Sequence, residues 1–177
     1  GGRRTTGFLI DRNPQNPDEI IVGGYDGVKK SSDNGKTWTS IWSHSLNPTD
    51  LRYDRTDPNR LYLCSPTFPR WSSWNKRYDP GFYRSEDSGK NWVKLSQESP
   101  TEIVQSQSDP GELYAIFNQE TIKRSTDNGK TWHDWSKGLN KKGIKYHDPF
   151  CNKNIYTALG AGKDFLITAS TLKDFYR

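Results

Sequence analysis

The sequence contains no methionine, and aliphatic side chains are scarce among its 177 residues. Counted in the usual way, with Gly included and Tyr left out, the apolar share is roughly 34%, against about 45–50% in a typical domain. Without Met we expect no native translation start, and therefore a mature form or an excerpt of a longer protein. No apolar run approaches the ~20 residues of a membrane-spanning helix, and no signal peptide is recognisable.

Charge is spread along the chain, with 26 basic and 21 acidic residues and a net charge of +5. The densest basic stretch, residues 137–145, is too short and sparse for the basic stripe that nucleic-acid binding requires. The two cysteines, Cys64 and Cys151, lack the close spacing of a metal site. We expect two buried thiols, with one disulfide as the alternative, and neither a metal nor another cofactor.

Aromatic residues are abundant where aliphatic residues are few, with 7 Trp, 9 Tyr and 7 Phe. A low apolar share alone is typical of disordered chains, but such chains are also poor in aromatics. The composition therefore predicts a folded, thin-layered β-protein with an aromatic core.

An eight-residue pattern, S-x-D-x-G-K-x-W, occurs at residues 31–38, 85–92 and 125–132. Recurrence of this kind is the signature of repeat architectures. In a tight turn between two strands, the Asp carboxylate accepts backbone hydrogen bonds, the Gly adopts positive φ, and the Trp is expected to open the next strand. The residues predicted to have these structural roles are Asp33, Gly35, Trp38, Asp87, Gly89, Trp92, Asp127, Gly129 and Trp132.

A second, weaker repeat precedes each copy of the pattern, and a fourth instance follows the last copy. Turns rich in Pro, Asn and Asp lead into apolar strands at residues 11–21, 54–62, 108–114 and 147–156. The anchors of these strands are 41, 52 and 42 residues apart, close to the length of a four-stranded propeller blade. The four anchors are Ile20, Leu61, Leu113 and Ile155.

The fold prediction is an all-β propeller of four-stranded antiparallel blades. Blade 1 covers about residues 5–42, blade 2 about 49–96, blade 3 about 101–136, and an incomplete blade 4 about 143–177. Three and a half to four blades are short of ring closure, so we expect part of a larger ring of about six to eight blades. Missing sequence, another fragment or a second copy would complete that ring.

The three Asp turns resemble the Asp-box, or BNR, repeat of β-propeller proteins. That group includes sialidases, xyloglucan-active glycoside hydrolases and sortilin-type receptors, although the sialidase signature is not found here. The resemblance implies a secreted glycoside hydrolase that cleaves a polysaccharide with paired carboxylates. The alternatives are a non-catalytic binding or assembly propeller of the sortilin type, or a polysaccharide lyase that uses a Tyr/His pair, with His44 and Tyr146 as candidates.

Blade 2 carries an insertion between its second and third strands, within residues 65–81. In an up-and-down blade this loop lies on the face opposite the Asp turns. Flat aromatic rings can stack on sugars, and interleaved charges can bind hydroxyl or carboxylate groups. A small packed cluster under the loop is the alternative interpretation. The residues predicted to bind substrate are Phe68, Arg70, Trp71, Trp74, Arg77 and Tyr78.

Candidate catalytic carboxylates lie in loops on the same face. Asp26 is the nearest positional match to the catalytic Asp of the xyloglucan-active enzymes resembled here, although Asp-Gly is also an ordinary hairpin turn. An inverting hydrolase needs a second carboxyl about 6.5–9.5 Å away. Asp50, Asp79 and Glu120 are the candidates for that role.

Blade 4 is expected to begin with the turn at residues 147–154, followed by a strand at residues 155–159. Its last three residues, 175–177, match residues 82–84 before the second Asp turn. We therefore expect an insertion at 160–174 and an end just before a fourth Asp turn. A decayed turn at 172–175 is the alternative.

Overall fold

The structure is a computed structural model that describes residues 7–24, 26–43, 48–65, 79–106, 108–117, 121–137, 156–161 and 164–169. Over this part of the chain all regular elements are β-strands, and no helix is long and apolar enough to cross a membrane. The chain divides into two compact units, residues 1–100 and 101–177, which are described separately.

Each unit is built from antiparallel sheets in which sequential strands are neighbours. Sheet A contains β1 (Gly7–Arg12), β2 (Ile20–Gly24), β3 (Gly27–Ser31) and β4 (Thr39–Trp42). Sheet B contains β5 (Asp50–Tyr53), β6 (Leu61–Ser65), β7 (Gly81–Ser85) and β8 (Val93–Ser96). Sheet C contains β9 (Pro100–Gln105), β10 (Leu113–Phe117), β11 (Thr121–Ser125) and β12 (His133–Asp134). Sheet D contains β13 (Tyr156–Ala161) and β14 (Asp164–Ala169).

The predicted all-β fold of four-stranded antiparallel sheets is confirmed. The anchors Ile20, Leu61 and Leu113 each lie at the start of the second strand of their sheet, in agreement with the predicted repeat. The Trp of each Asp turn was expected to open the fourth strand, but each fourth strand begins one residue after it; β4, for example, starts at Thr39. Residue 37 stays in the turn because its backbone N–H and hydroxyl both bind the Asp33 carboxylate.

The core of the first unit lies between sheets A and B. Alternate residues of the strands point into it, as the two-residue period of a strand requires. Its fully or nearly fully buried side chains are Ile21, Val28, Trp42, Leu51, Tyr53, Leu61, Leu63 and Tyr83. Trp92, the Trp of the second Asp turn, packs against this cluster. Trp38, the corresponding Trp of sheet A, is 40% exposed.

The end of the chain differs from the predicted insertion at 160–174. β14 pairs with β13 over six residue pairs, from Tyr156 with Ala169 to Ala161 with Asp164. Only two residues connect these strands, so a hairpin occupies most of the stretch expected to be a loop. The alternative, a decayed turn at 172–175, lies outside the described residues. Cys64 is buried in β6, and Cys151 lies outside the described residues as well.

Candidate functional site

The three Asp turns have the same hydrogen-bonded geometry. In each, one carboxylate accepts the backbone N–H and the side chain of the residue four positions later. For Asp33 these bonds come from Thr37 N at 2.8 Å and Thr37 Oγ1 at 2.6 Å. The first Ser of each turn donates to the carboxylate and accepts the Gly N–H, as Ser31 does from Gly35 at 2.8 Å. The hydrogen bonds of these carboxylates therefore stabilise the closed form of the turns.

This bonding favours the ionised form of the Asp side chains. Hydrogen bonds from Thr37, followed by one from Ser31, lower the pKa of Asp33 from its ordinary value to about 2. Burial acts to raise the pKa of Asp127, but bonds from Thr131 and Ser125 outweigh it and lower the pKa to about 2. The pKa of Asp87 is lowered too, mainly by bonds from Asn91.

A repeated backbone bond links each Asp turn to the Pro-rich turn of its own sheet. Asn34 N donates to Asp18 O at 2.9 Å, Ser88 N to Asn59 O at 2.7 Å, and Asn128 N to Gly111 O at 3.0 Å. The donors in these three bonds have positive φ of 57°, 60° and 57°. Sequence analysis missed these bonds, although Asn or Ser recurs directly before the Gly of every turn. Both kinds of turn therefore lie at the same end of the strands in each sheet, and the insertion of blade 2 begins at the opposite end.

The junction between sheets A and B is built around Trp92. Its Nε1 donates both to Gly89 O in its own turn, at 3.1 Å, and to Ile41 O in β4, at 3.0 Å. Trp42, at the end of β4, contacts the rings of Trp92 and Tyr83 edge-to-face, with centroids 5.5 and 4.6 Å apart. Such aromatic pairs stabilise a junction by more than the burial of their apolar surface alone would.

A cleft of about 570 Å³ runs along this junction, between β4 of sheet A and the third and fourth strands of sheet B. It extends from Asp79, beside the insertion, to Lys90 and Asn91 in the Asp turn. Aromatic and polar side chains both line it, and of the aromatic ones Trp42 and Tyr83 are almost fully buried while Trp92 is partly buried. The residues that line the cleft include Ser43, Asp79, Tyr83, Lys90, Asn91, Trp92 and Lys94.

Asp79 is held in the cleft by two neighbours. Lys94 Nζ forms an ion pair with its carboxylate, and the hydroxyl of Tyr83 donates to its carbonyl oxygen at 2.9 Å. Burial, followed by the neighbouring Asp79, raises the pKa of Tyr83 above its usual value. The phenol therefore stays protonated and acts as a donor. The Asp79 side chain is still 59% exposed, so its carboxylate remains accessible.

The other described candidate carboxylates lie elsewhere. Asp26 is exposed in the two-residue turn between β2 and β3, where Gly24 pairs with Gly27. Asp50 is only 2% exposed, and it accepts hydrogen bonds from Leu51 N at 2.9 Å and Arg52 Nε at 2.8 Å. Of the described candidates, only Asp79 lines the cleft.

The remaining predicted residues lie outside the described part of the chain. They are Glu120, His44, Tyr146, Phe68, Arg70, Trp71, Trp74, Arg77 and Tyr78. Sequence analysis in turn missed Lys94 and Trp42, because neither belongs to a repeated motif. Among the described residues, no group of three His, Cys, Asp or Glu side chains has the arrangement of a metal site.

Comparison with known proteins agrees with the Asp-box geometry. A family model described as BNR/Asp-box repeat matches residues 123–134, which include the whole of the third turn. A search of curated protein sequences gives no significant match. The chain thus carries BNR/Asp-box repeats, as the sequence predicted.

Solved structures with the same fold include β-propellers of two kinds. An ancestral GH74 enzyme is 16% identical over 96% of this chain and 25% of its own, with a TM-score of 0.63. The GH74 xyloglucanase from Xanthomonas campestris is 19% identical over 97% of this chain and 26% of its own, with a TM-score of 0.52. YCF48 from Cyanidioschyzon merolae is 17% identical over 75% of this chain and 41% of its own, also with a TM-score of 0.52. The chain spans about a quarter of the length of the two GH74 enzymes, and the likeness shows a shared β-propeller fold.

Proposed function

We propose that this chain is a carbohydrate-binding part of a polysaccharide-active propeller protein. The bound sugar chain lies in the cleft between sheets A and B. The observation that carries the proposal is the cleft itself, which combines the partly buried ring of Trp92 with several polar side chains. Sugar-binding sites need this combination, since sugar rings pack on flat apolar surface while their hydroxyl groups require hydrogen-bond partners.

The rim supplies both donors and acceptors for sugar hydroxyl groups. Lys90 and Asn91 are exposed at the end of the cleft near the Asp turn, and Ser43 is exposed at the end of β4. The accessible Asp79 carboxylate adds a charged acceptor. Trp92, the partly buried aromatic residue at the junction, offers apolar surface between these polar groups.

Binding is better supported than hydrolysis. An inverting hydrolase needs two carboxyl groups about 6.5–9.5 Å apart, and among the described lining residues Asp79 is the only acid. Asp26, Asp50 and Glu120 stay predictions as catalytic carboxylates, and the six residues of the insertion stay predictions as substrate-binding residues. A polysaccharide ligand also makes a secreted or extracytoplasmic location the natural one.

Binding to soluble xyloglucan, measured by calorimetry alongside a glycan array, tests the proposal. Xyloglucan is the first probe because one protein of the same fold is a xyloglucanase. We expect Lys90→Gln to weaken binding about three- to tenfold through loss of a charged donor. Lys36→Gln is the matched control, because Lys36 has the same position in the first Asp turn but does not line the cleft.

A reducing-sugar assay on the same samples separates binding from cleavage. Binding without release of reducing ends supports the proposal. Release that is abolished by Asp79→Asn, with the fold intact, would instead make the protein a hydrolase. Failure to bind any polysaccharide, or equal effects of the Lys90 and Lys36 substitutions, would overturn the role of the cleft.

A further inference from the structure

Two of the three Asp turns contain the dipeptide Asn-Gly at equivalent positions. It occurs at residues 34–35 and 128–129, whereas Ser88 precedes Gly89 in the second turn. Asn-Gly is the pair in which an Asn side chain is converted most readily to an acid, because Gly has no Cβ to hinder approach to its own backbone nitrogen. The first and third turns therefore contain the two groups that react in spontaneous deamidation.

Deamidation of Asn needs only water as a second reactant. The Gly nitrogen bonds to Cγ of the Asn, the bond from Cγ to the side-chain nitrogen breaks, and that nitrogen leaves as ammonia with the proton from the Gly N–H. Water then opens the resulting succinimide ring at one of its two carbonyl groups, which gives aspartate or isoaspartate. Oxidation states do not change, and each event adds one negative charge at neutral pH.

The reacting nitrogen is held in a hydrogen bond in both turns. Gly35 N donates to Ser31 Oγ at 2.8 Å, and Gly129 N donates to Ser125 Oγ at 2.9 Å. The two Ser residues are 1% and 0% exposed, so both hydroxyls are shielded from solvent. Removal of the proton from the Gly N–H breaks this bond. Because the loss of a buried hydrogen bond is unfavourable, the Ser hydroxyl slows the reaction.

The backbone of each Asn is held as well. Asn34 N donates to Asp18 O at 2.9 Å, and Asn128 N donates to Gly111 O at 3.0 Å. Both Asn residues have the same positive φ of 57°. The Asn and the Gly are thus fixed by separate hydrogen bonds, and we expect the ring to close only when the turn opens locally.

We propose that Asn34 and Asn128 are deamidation sites whose rates are set by the Ser hydroxyl of their own turn. Ser31 protects the first site by holding the N–H of the Gly that follows it. Ser125 protects the second site in the same way. The geometry of the Asp turn therefore has a chemical role in addition to its structural one, because it keeps the reactive nitrogen bonded while the protein is folded.

Deamidation is expected to weaken the turn in which it occurs. The new carboxylate comes directly after the Asp that accepts the hydrogen bonds of the turn, Asp33 or Asp127. Like charges this close repel each other, and isoaspartate also lengthens the backbone by one methylene group. The second turn, which borders the cleft, has Ser88 in place of the Asn and so has no such site. This inference does not depend on carbohydrate binding, because the reaction involves only the turns and water.

Peptide mapping by mass spectrometry, after the full chain is incubated at mildly alkaline pH, tests the proposal. In the folded wild-type chain we expect slow deamidation at both sites, and much faster deamidation when the same chain is unfolded in guanidinium. Ser31→Ala is expected to accelerate deamidation at Asn34 about tenfold and to leave Asn128 unchanged. Ser125→Ala is expected to have the reverse effect. Each variant contains its own control, since one Asn-Gly turn is unaltered.

Thr37→Val is the matched control for a weakened turn. It removes the hydroxyl that donates to Asp33 Oδ2 at 2.6 Å but keeps the bond between Ser31 and Gly35. Deamidation at Asn34 should therefore accelerate far less in Thr37→Val than in Ser31→Ala. Equal acceleration would mean that the stability of the turn, and not the bond to the Gly N–H, sets the rate.

Three further results would overturn the proposal. Equal rates in the folded and the unfolded wild-type chain would show that the turns give no protection. An unchanged rate at Asn34 in Ser31→Ala would show that the hydroxyl does not control the reaction. A rise at both sites in a variant of one Ser would show that unfolding of the whole chain, and not the bond within each turn, sets the rate.

Discussion

The indole N–H of Trp92 donates to the carbonyl oxygen of Ile41, 3.0 Å away in the neighbouring sheet. The fourth strand of a sheet is an edge, and its outward-facing backbone groups need partners outside that sheet. The Asp turn supplies such a partner while it closes its own hairpin. One motif therefore contributes both to the turn within sheet B and to the attachment of sheet B to sheet A.

The first prediction concerns this bond. Trp92→Phe keeps an aromatic ring at the junction but removes the donor to Ile41 and Gly89. Because the Ile41 carbonyl loses a partner, we expect the free energy of unfolding to fall by about 1–2 kcal/mol. Trp38→Phe is the control, since Trp38 bonds only within its own turn, and its effect should be smaller. Urea unfolding followed by circular dichroism measures both, and equal losses would contradict the account of the junction.

The second prediction concerns the Ser that opens each Asp turn. Ser85 is 1% exposed, and its hydroxyl accepts Gly89 N at 2.8 Å while donating to Asp87 at 2.9 Å. Ser85→Ala leaves the buried Gly89 N–H without this acceptor, which costs about 1–3 kcal/mol. Ser32→Ala, at an exposed position of the first turn, is the control and should be nearly neutral. A thermal melt in which both variants match the wild type would rule out this role for the hydroxyl.

The sequence predicted the strands well where a repeat carries the signal. The S-x-D-x-G-K-x-W pattern and the spacing of Ile20, Leu61 and Leu113 were sufficient for the sheets and their order. The end of the chain was mispredicted because the hairpin of β13 and β14 has no Asp turn to mark it. The match of residues 175–177 to 82–84 lies outside the described residues and stays a prediction.

The cleft was harder to predict, because it is made by contacts between sheets. Lys94 and Trp42 lie in fourth strands whose exact start depends on how far the Asp turn extends. Their relation to Asp79 depends on the way in which sheets A and B pack. Asp79 itself was recognised only as an acid in a loop. Its ion pair with Lys94 is not encoded in any local spacing.

The third prediction concerns pH. The pKa of Asp33 is lowered to about 2 in the fold, from an ordinary value of 3.8. A lowered folded-state pKa means that the ionised carboxylate stabilises the protein above about pH 4, and that this contribution is lost as the pH falls through about 2. Asp33→Asn should be less stable than the wild type at neutral pH, and the difference should shrink between pH 3.8 and about 2.

Melting temperatures measured across that pH range test the linkage. Asp18→Asn is the matched control, because Asp18 is an exposed carboxylate at the same edge of sheet A and contributes only its backbone carbonyl to the turn. The control should follow the wild-type curve. A gap between Asp33→Asn and the wild type that stays constant down to pH 2 would show that ionisation of Asp33 contributes nothing.

The fourth prediction separates backbone strain from crowding at two equivalent glycines. Gly35 and Gly89 have nearly the same positive φ, 86° and 87°. Backbone strain from an Ala at either position should therefore lower the free energy of unfolding by a similar amount, about 1–2 kcal/mol. Only at Gly89 would the new Cβ also collide with a neighbouring sheet, 2.7 Å from Ile41 Cδ1. Overpacking of this kind adds about 1–3 kcal/mol. Gly89→Ala should therefore lower the urea midpoint clearly more than Gly35→Ala.

Combining Gly89→Ala with Ile41→Val, which shortens the colliding side chain, should recover part of the difference. If the two single variants lose the same stability, sheets A and B do not pack as closely as Ile41 and Gly89 indicate.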